Sequence, residues 1–85
     1  MTRRATLLTK ADCALCEQAK EVLRRLEAEG VLELELVDLH TPEGQQLAVL
    51  SGMAFPPGLL LDGDPFSYGR LSERRLRREL ARRLS

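Results

Sequence analysis

The chain has no tryptophan, one tyrosine, two phenylalanines and one histidine among its 85 residues. So thin an aromatic complement leaves no platform on which successive nucleic-acid bases could stack. Cysteine is equally scarce, with Cys13 and Cys16 the only two. One pair three residues apart builds no disulfide framework, and a bridge across so short a loop adds little stability. A zinc or iron–sulfur site needs about four ligands, and the pair with His40, in no recognised ligand spacing, supplies three at most from one chain. Long apolar runs are missing too. No segment approaches the roughly 20 apolar residues of a membrane span. The N-terminal MTRRATLL lacks the apolar stretch and small-residue cleavage site of a signal peptide. A soluble, cytoplasmic protein is expected, and in a reducing compartment the cysteine pair reads as chemical rather than structural.

Positive charge is absent from residues 31–69, where six Asp/Glu meet no Lys or Arg. Residues 70–85 carry seven Arg against two Glu, so the net charge of zero is a balance between segments. Clustered arginines invite a nucleic-acid reading. The plainer reading is stronger, because SERRLRRELARRL carries Leu76, Leu80 and Leu84 as one stripe, which makes the arginines the wet side of a surface helix. No nucleic-acid or membrane partner is expected.

With 44% hydrophobic residues the chain can close one modest core, so a single domain over residues 1–85 is expected. Residues 4–9, RATLLT, form a strand candidate ending just before the cysteines. Leu15, Ala19, Val22, Leu23 and Leu26 then recur at helical spacing, and Gly30 suits the left-handed position that ends a helix. VLELELVD alternates Leu32, Leu34 and Leu36 with Glu33 and Glu35, the pattern of a half-buried strand with one charged face. Thr41-Pro42 offers a cap and a first helical residue for a short helix running to about Leu50, stopped by Gly52. Leu59, Leu60 and Leu61 read as a buried strand, Asp62-Gly63-Asp64-Pro65 as a turn, and the segment through Tyr68 as a fourth strand. Ser72 caps the last helix, with Leu71 and Leu76 spaced as a hydrophobic staple. The order β-α-β-α-β-β-α implies a right-handed crossover, a four-stranded mixed sheet and helices on both faces.

A Cys-x-x-Cys at the mouth of the first βα unit, this element order, and a proline shortly before an apolar strand ending in Asp-Gly resemble the glutaredoxin branch of the thioredoxin fold. The likeness covers nearly the whole chain. Cys13-Ala14-Leu15-Cys16 is most similar to the small bacterial glutaredoxin-like proteins that carry Cys-x-Leu-Cys, rather than to glutaredoxins with Cys-Pro-Tyr-Cys. The resemblance implies a thiol–disulfide oxidoreductase without a bound cofactor, acting as a monomer on protein or low-molecular-weight disulfides and recycled by a dithiol reductant such as a thioredoxin-like system.

Elementary chemistry asks for the same placement. A cysteine at a helix N-terminus faces unpaired backbone N–H groups and the positive end of the helix dipole, both of which stabilise a thiolate. Cys13 is therefore the expected nucleophile and Cys16, one turn inward, the resolving thiol. Lys10 adds positive potential nearby, whereas Asp12 opposes a second negative charge.

In the resembled family a cis-proline faces the cysteines, and the residue before it pairs with substrate backbone. Counting back from Asp62-Gly63 matches Pro57 to that position, with Pro56 before it and no N–H to offer; the other register makes Pro56 the cis residue after Phe55. Gly69 resembles the first glycine of the family's Gly-Gly turn, and Arg70 replaces the second. The resemblance thus nominates Lys10, Ala14, Leu15, Phe55, Pro56, Pro57, Gly69 and Arg70 as substrate-contacting residues. It also implies weak use of glutathione, since the middle segment lacks the cation that holds its carboxylate. Two other readings of the cysteines stay open: a metal or iron–sulfur site shared between two chains, and a redox-silent module that keeps only the fold. His40 and Asp38 read as loop and turn residues.

Overall fold

A computed structural model describes residues 3–84, and the side chains of residues 3–83. Seven elements follow in order: β1 (Arg3–Thr9), α1 (Ala14–Ala28), β2 (Leu32–Asp38), α2 (Pro42–Ser51), β3 (Gly58–Leu61), β4 (Asp64–Tyr68) and α3 (Glu73–Leu84). The strands form one sheet in the order β2-β1-β3-β4. β1 and β2 are parallel, as a strand–helix–strand crossover requires, and β3 pairs antiparallel with both β1 and β4. This is the mixed four-stranded sheet that the element order implies.

Both faces of the sheet are covered. Ala5 and Leu7 of β1 and Leu59 and Leu61 of β3 pack with Ala19, Val22, Leu23 and Leu26 of α1 and with Leu76 and Leu80 of α3. Leu8 and Leu60 point the opposite way and pack with Val37, Leu47, Ala48 and Met53 beneath α2. Central strands covered on two faces need continuous apolar runs, which explains TLL and LLL. Leu84, the third leucine of the α3 stripe, has its side chain outside the described residues.

Local chemistry sets the boundaries. Gly30 (φ 80°) follows α1, and Gly52 (φ 68°) caps α2 in the left-handed conformation that glycine adopts without a Cβ clash. Thr41 caps α2 by accepting the Gly44 N–H at 3.0 Å, and Ser72 caps α3 by accepting the Arg75 N–H at 3.2 Å. The staple residues Leu71 and Leu76 are both buried in the core. The β3–β4 turn is tighter than the expected four residues. Asp62 (φ 51°) and Gly63 (φ 86°) alone make it, both with positive φ, as a two-residue hairpin turn matched to strand twist demands. Asp64 and Pro65 belong to β4, an edge strand that tolerates a proline.

β2 departs from simple alternation. Leu32 is buried and Leu34 half-buried, yet Leu36 is 42% exposed, while Val37 is buried on the other face. β2 is an edge strand, and α2 shelters the far side of its C-terminal end, so burial changes face there.

Candidate functional site

The cysteines stand where β1 hands over to α1. Thr9 is the last residue of β1, Asp12 takes a left-handed conformation (φ 53°), and Cys13 is the extended cap of α1. That single left-handed residue turns the chain from strand to helix, and aspartate is among the few non-glycine residues that adopt it readily. Cys13 Sγ accepts the Cys16 N–H at 3.2 Å, so the sulfur itself satisfies a first-turn donor. Cys13 and Cys16 are joined as a disulfide with Cα atoms 5.2 Å apart. Their environments differ. Cys13 is half-buried, whereas Cys16 is completely buried.

The topology brings a second segment to the same end of the sheet. β1 and β3 run antiparallel with Leu8 opposite Gly58, so Pro57 enters the sheet beside the end of β1 that carries the cysteine loop. The Pro56–Pro57 bond is cis, which places Pro57 in the register counted back from Asp62-Gly63 and leaves Phe55–Pro56 trans. Pro57 is buried and Pro56 half-buried. Gly58 also pairs with Tyr68, so β4 ends at this edge.

Beyond Tyr68, Gly69 (φ 76°) donates its N–H to the Pro57 carbonyl at 2.7 Å. A Cβ on Gly69 would lie 2.7 Å from the Phe55 ring, which would have to turn aside, and the left-handed backbone at Gly69 favours glycine in its own right. Phe55 and Tyr68 meet edge to face with ring centroids 5.2 Å apart, and both rings remain about half exposed. Arg70 is exposed. Gln18 of α1 then clamps the residue after it, donating to the Leu71 carbonyl at 3.0 Å and accepting the Leu71 N–H at 3.1 Å. The cysteine helix and the segment that follows β4 are thereby held together.

A glutaredoxin-like domain family model (DUF836) matches residues 4–81 of this chain. The chain belongs to the glutaredoxin-like family. A search of curated proteins returns no match. The four-stranded mixed sheet with three helices is a glutaredoxin-like thioredoxin fold, and the disulfide-forming pair is its Cys-x-x-Cys motif.

Most of the nominated residues fall into two groups. Phe55 and Pro57 each meet Gly69 through the contacts above, and Cys13 and Cys16 are bonded; Ala14 and Leu15 lie between them in the first turn of α1. Lys10 and Arg70 are exposed. Asp38 Oδ1 accepts the His40 N–H at 2.7 Å, a turn-forming bond, and His40 is exposed. Among the described residues no group of three or more His, Cys, Asp or Glu is placed to hold a metal ion, and no helix is long and apolar enough to cross a membrane. Sequence reasoning missed Gln18 and Tyr68. Tyr68 carried a faint signal as the one tyrosine at a strand end, but nothing in Cys-Glu-Gln marks Gln18 for a partner 53 residues away.

Proposed function

We propose that the protein is a dithiol–disulfide oxidoreductase that reduces disulfides with Cys13 as the attacking thiol and Cys16 as the resolving one. One observation carries the reading. The two cysteines share a helix N-terminus, yet Cys13 is only partly buried and its sulfur satisfies a first-turn N–H while Cys16 is wholly buried.

The chemistry follows from those positions. In the reduced protein the Cys13 thiolate, favoured by the Cys16 N–H and the helix dipole, attacks one sulfur of a substrate disulfide. A Cys13–substrate disulfide forms and the other substrate sulfur leaves as a thiolate that takes up a proton. Cys16 then gives up its proton and attacks Cys13 Sγ, closing the Cys13–Cys16 disulfide and releasing the second substrate thiol. Two electrons have moved from protein to substrate, and a dithiol reductant returns them. Phe55 and Tyr68 offer apolar surface to the substrate beside Pro56 and Pro57, which suits the side chains of a protein substrate better than a small charged thiol.

Trapping tests the division of labour. Cys16→Ser should accumulate mixed disulfides with protein thiols, visible as added mass removed by reductant, whereas Cys13→Ser should form none and lose all reductase turnover. Equal trapping by the two variants would overturn the assignment.

A further inference from the structure

Thr9, the last residue of β1, is only 8% exposed, and its Oγ1 has no hydrogen-bond partner among the described residues. Its main chain is accounted for, since the Thr9 carbonyl accepts the Leu39 N–H at 2.8 Å. A buried hydroxyl left unpaired is costly enough that nearly all such groups find a partner. Its position says which partner is at hand. Ala5 and Leu7 pack against α1, and strand alternation puts Thr9 on that same face. α1 crosses back over β1 to reach the parallel strand β2, so passing from Ala5 to Leu7 to Thr9 runs along α1 toward its first turn. The buried residue of that turn is Cys16, wholly enclosed, with the next buried position at Ala19.

In the disulfide the Cys16 sulfur is committed to Cys13 and is a weak acceptor. Reduction changes that. Two electrons and two protons from the reductant convert the bond to two thiols, and Cys16 then presents a free sulfur inside the protein that must later become a thiolate without help from water.

We propose that Thr9 is a positioning residue whose hydroxyl donates a hydrogen bond to the Cys16 sulfur in the reduced protein, stabilising the dithiol state and the resolving thiolate. The unpaired hydroxyl is then a feature of the disulfide state, satisfied when the pair is reduced. The proposal rests on the reading of Cys13 and Cys16 as a cycling pair.

The test is the thiol–disulfide equilibrium of the whole protein in a glutathione redox buffer, quenched by alkylation and read by mass. Thr9→Val replaces the hydroxyl with a methyl at nearly the same volume, and Thr9→Ser keeps it. Valine should favour the disulfide about tenfold, which lowers the midpoint potential by about 30 mV, and serine should stay near the wild type. A role in packing alone would lower the melting temperature and leave the midpoint in place. If valine prevents folding, Thr9→Ala replaces it: a shift for alanine and none for serine supports the proposal, and equal midpoints for both overturn it. A wild-type pair that cannot be titrated overturns the functional reading as well, whereas a normal wild-type titration with an unmoved Thr9→Val overturns this assignment alone.

Discussion

A methyl group on Gly44 would stand 2.1 Å from the Asp38 carbonyl oxygen, and backbone cannot move aside as a flexible side chain would. Gly44 sits in the first turn of α2, which therefore seats directly on the end of β2. Gly44→Ala should cost about 3 kcal/mol, at the upper end of overpacking effects, read as a lower denaturation midpoint at unchanged slope. An unshifted midpoint would contradict this account of the contact. Gln18 is the second residue whose weight exceeds its appearance. Its amide holds both polar groups of Leu71, so Gln18→Leu removes two bonds and should cost roughly 2 kcal/mol. Faster hydrogen exchange at the Leu71 amide would report the loss at its source. Neither effect was legible in the sequence, where Gly44 looks like a weak helix residue and Gln18 like a solvated one. Both depend on main-chain groups that only the folded topology brings near.

At the scale of elements, the helix caps and strand cores were readable because each is set by a few adjacent residues, and so was the place of the β3–β4 turn, though not its two-residue length. The arginines of α3 were readable only as a wet face, and their partners were not. Arg77 reaches both Glu29 oxygens, at 2.8 and 2.9 Å, and also Glu73, which Arg25 of α1 meets at 2.7 Å. Arg75 lies over the Phe66 ring, 5.4 Å from its centre. Within α3, hydrogen bonds from Arg82 and then Arg83 pull the Glu79 carboxyl down to about 2 from an ordinary 4.5. Arg77 lowers Glu29 in the same direction, and Arg25 followed by Arg77 lowers Glu73. Each of these carboxyls binds protons less readily folded than unfolded. Their stabilisation is therefore complete above about pH 4.5 and is lost as the pH falls, toward about 2 for Glu79. Glu79→Gln should melt lower at neutral pH and decline less steeply across that acid window, the difference shrinking in high salt because the pairs are surface ones. Equal acid slopes for the two proteins would contradict this. β2 was misread at Leu36 for a related reason, since which face is covered at its C-terminal end is decided by α2 rather than by β2 itself.

For the molecule as a whole, the fold was legible because strand and helix periods, caps and turn chemistry agree on one element order. The cysteine loop stood out in the sequence by its spacing, whereas Phe55 and Gly69 were named only singly through the family resemblance, and their cluster with Tyr68 is assembled across the sheet end. That assembly shapes what the site should accept. Residues 31–69 hold no Lys or Arg, Pro56 has no N–H, and Arg70 follows Gly69 where the resemblance would lead one to expect a second glycine, so the contacts that resemblance implies for glutathione would each be weakened. Losing one charge-assisted and one backbone bond amounts to about 2–4 kcal/mol, on the order of 30- to 1,000-fold in affinity. Turnover of a glutathione mixed disulfide should accordingly fall far below turnover supported by a thioredoxin-like dithiol donor; comparable rates would contradict this and make Arg70 a grip on the tripeptide. All of this presupposes that the pair cycles. The most direct test is to equilibrate the wild-type protein across a graded series of thiol–disulfide buffers, trap free thiols by alkylation and weigh the intact chain. One reversible two-electron transition is expected between a doubly alkylated form and an unalkylated disulfide, with the same midpoint approached from either side. A pair that stays alkylatable across the series, or a disulfide that no dithiol buffer opens in the folded protein, would contradict it.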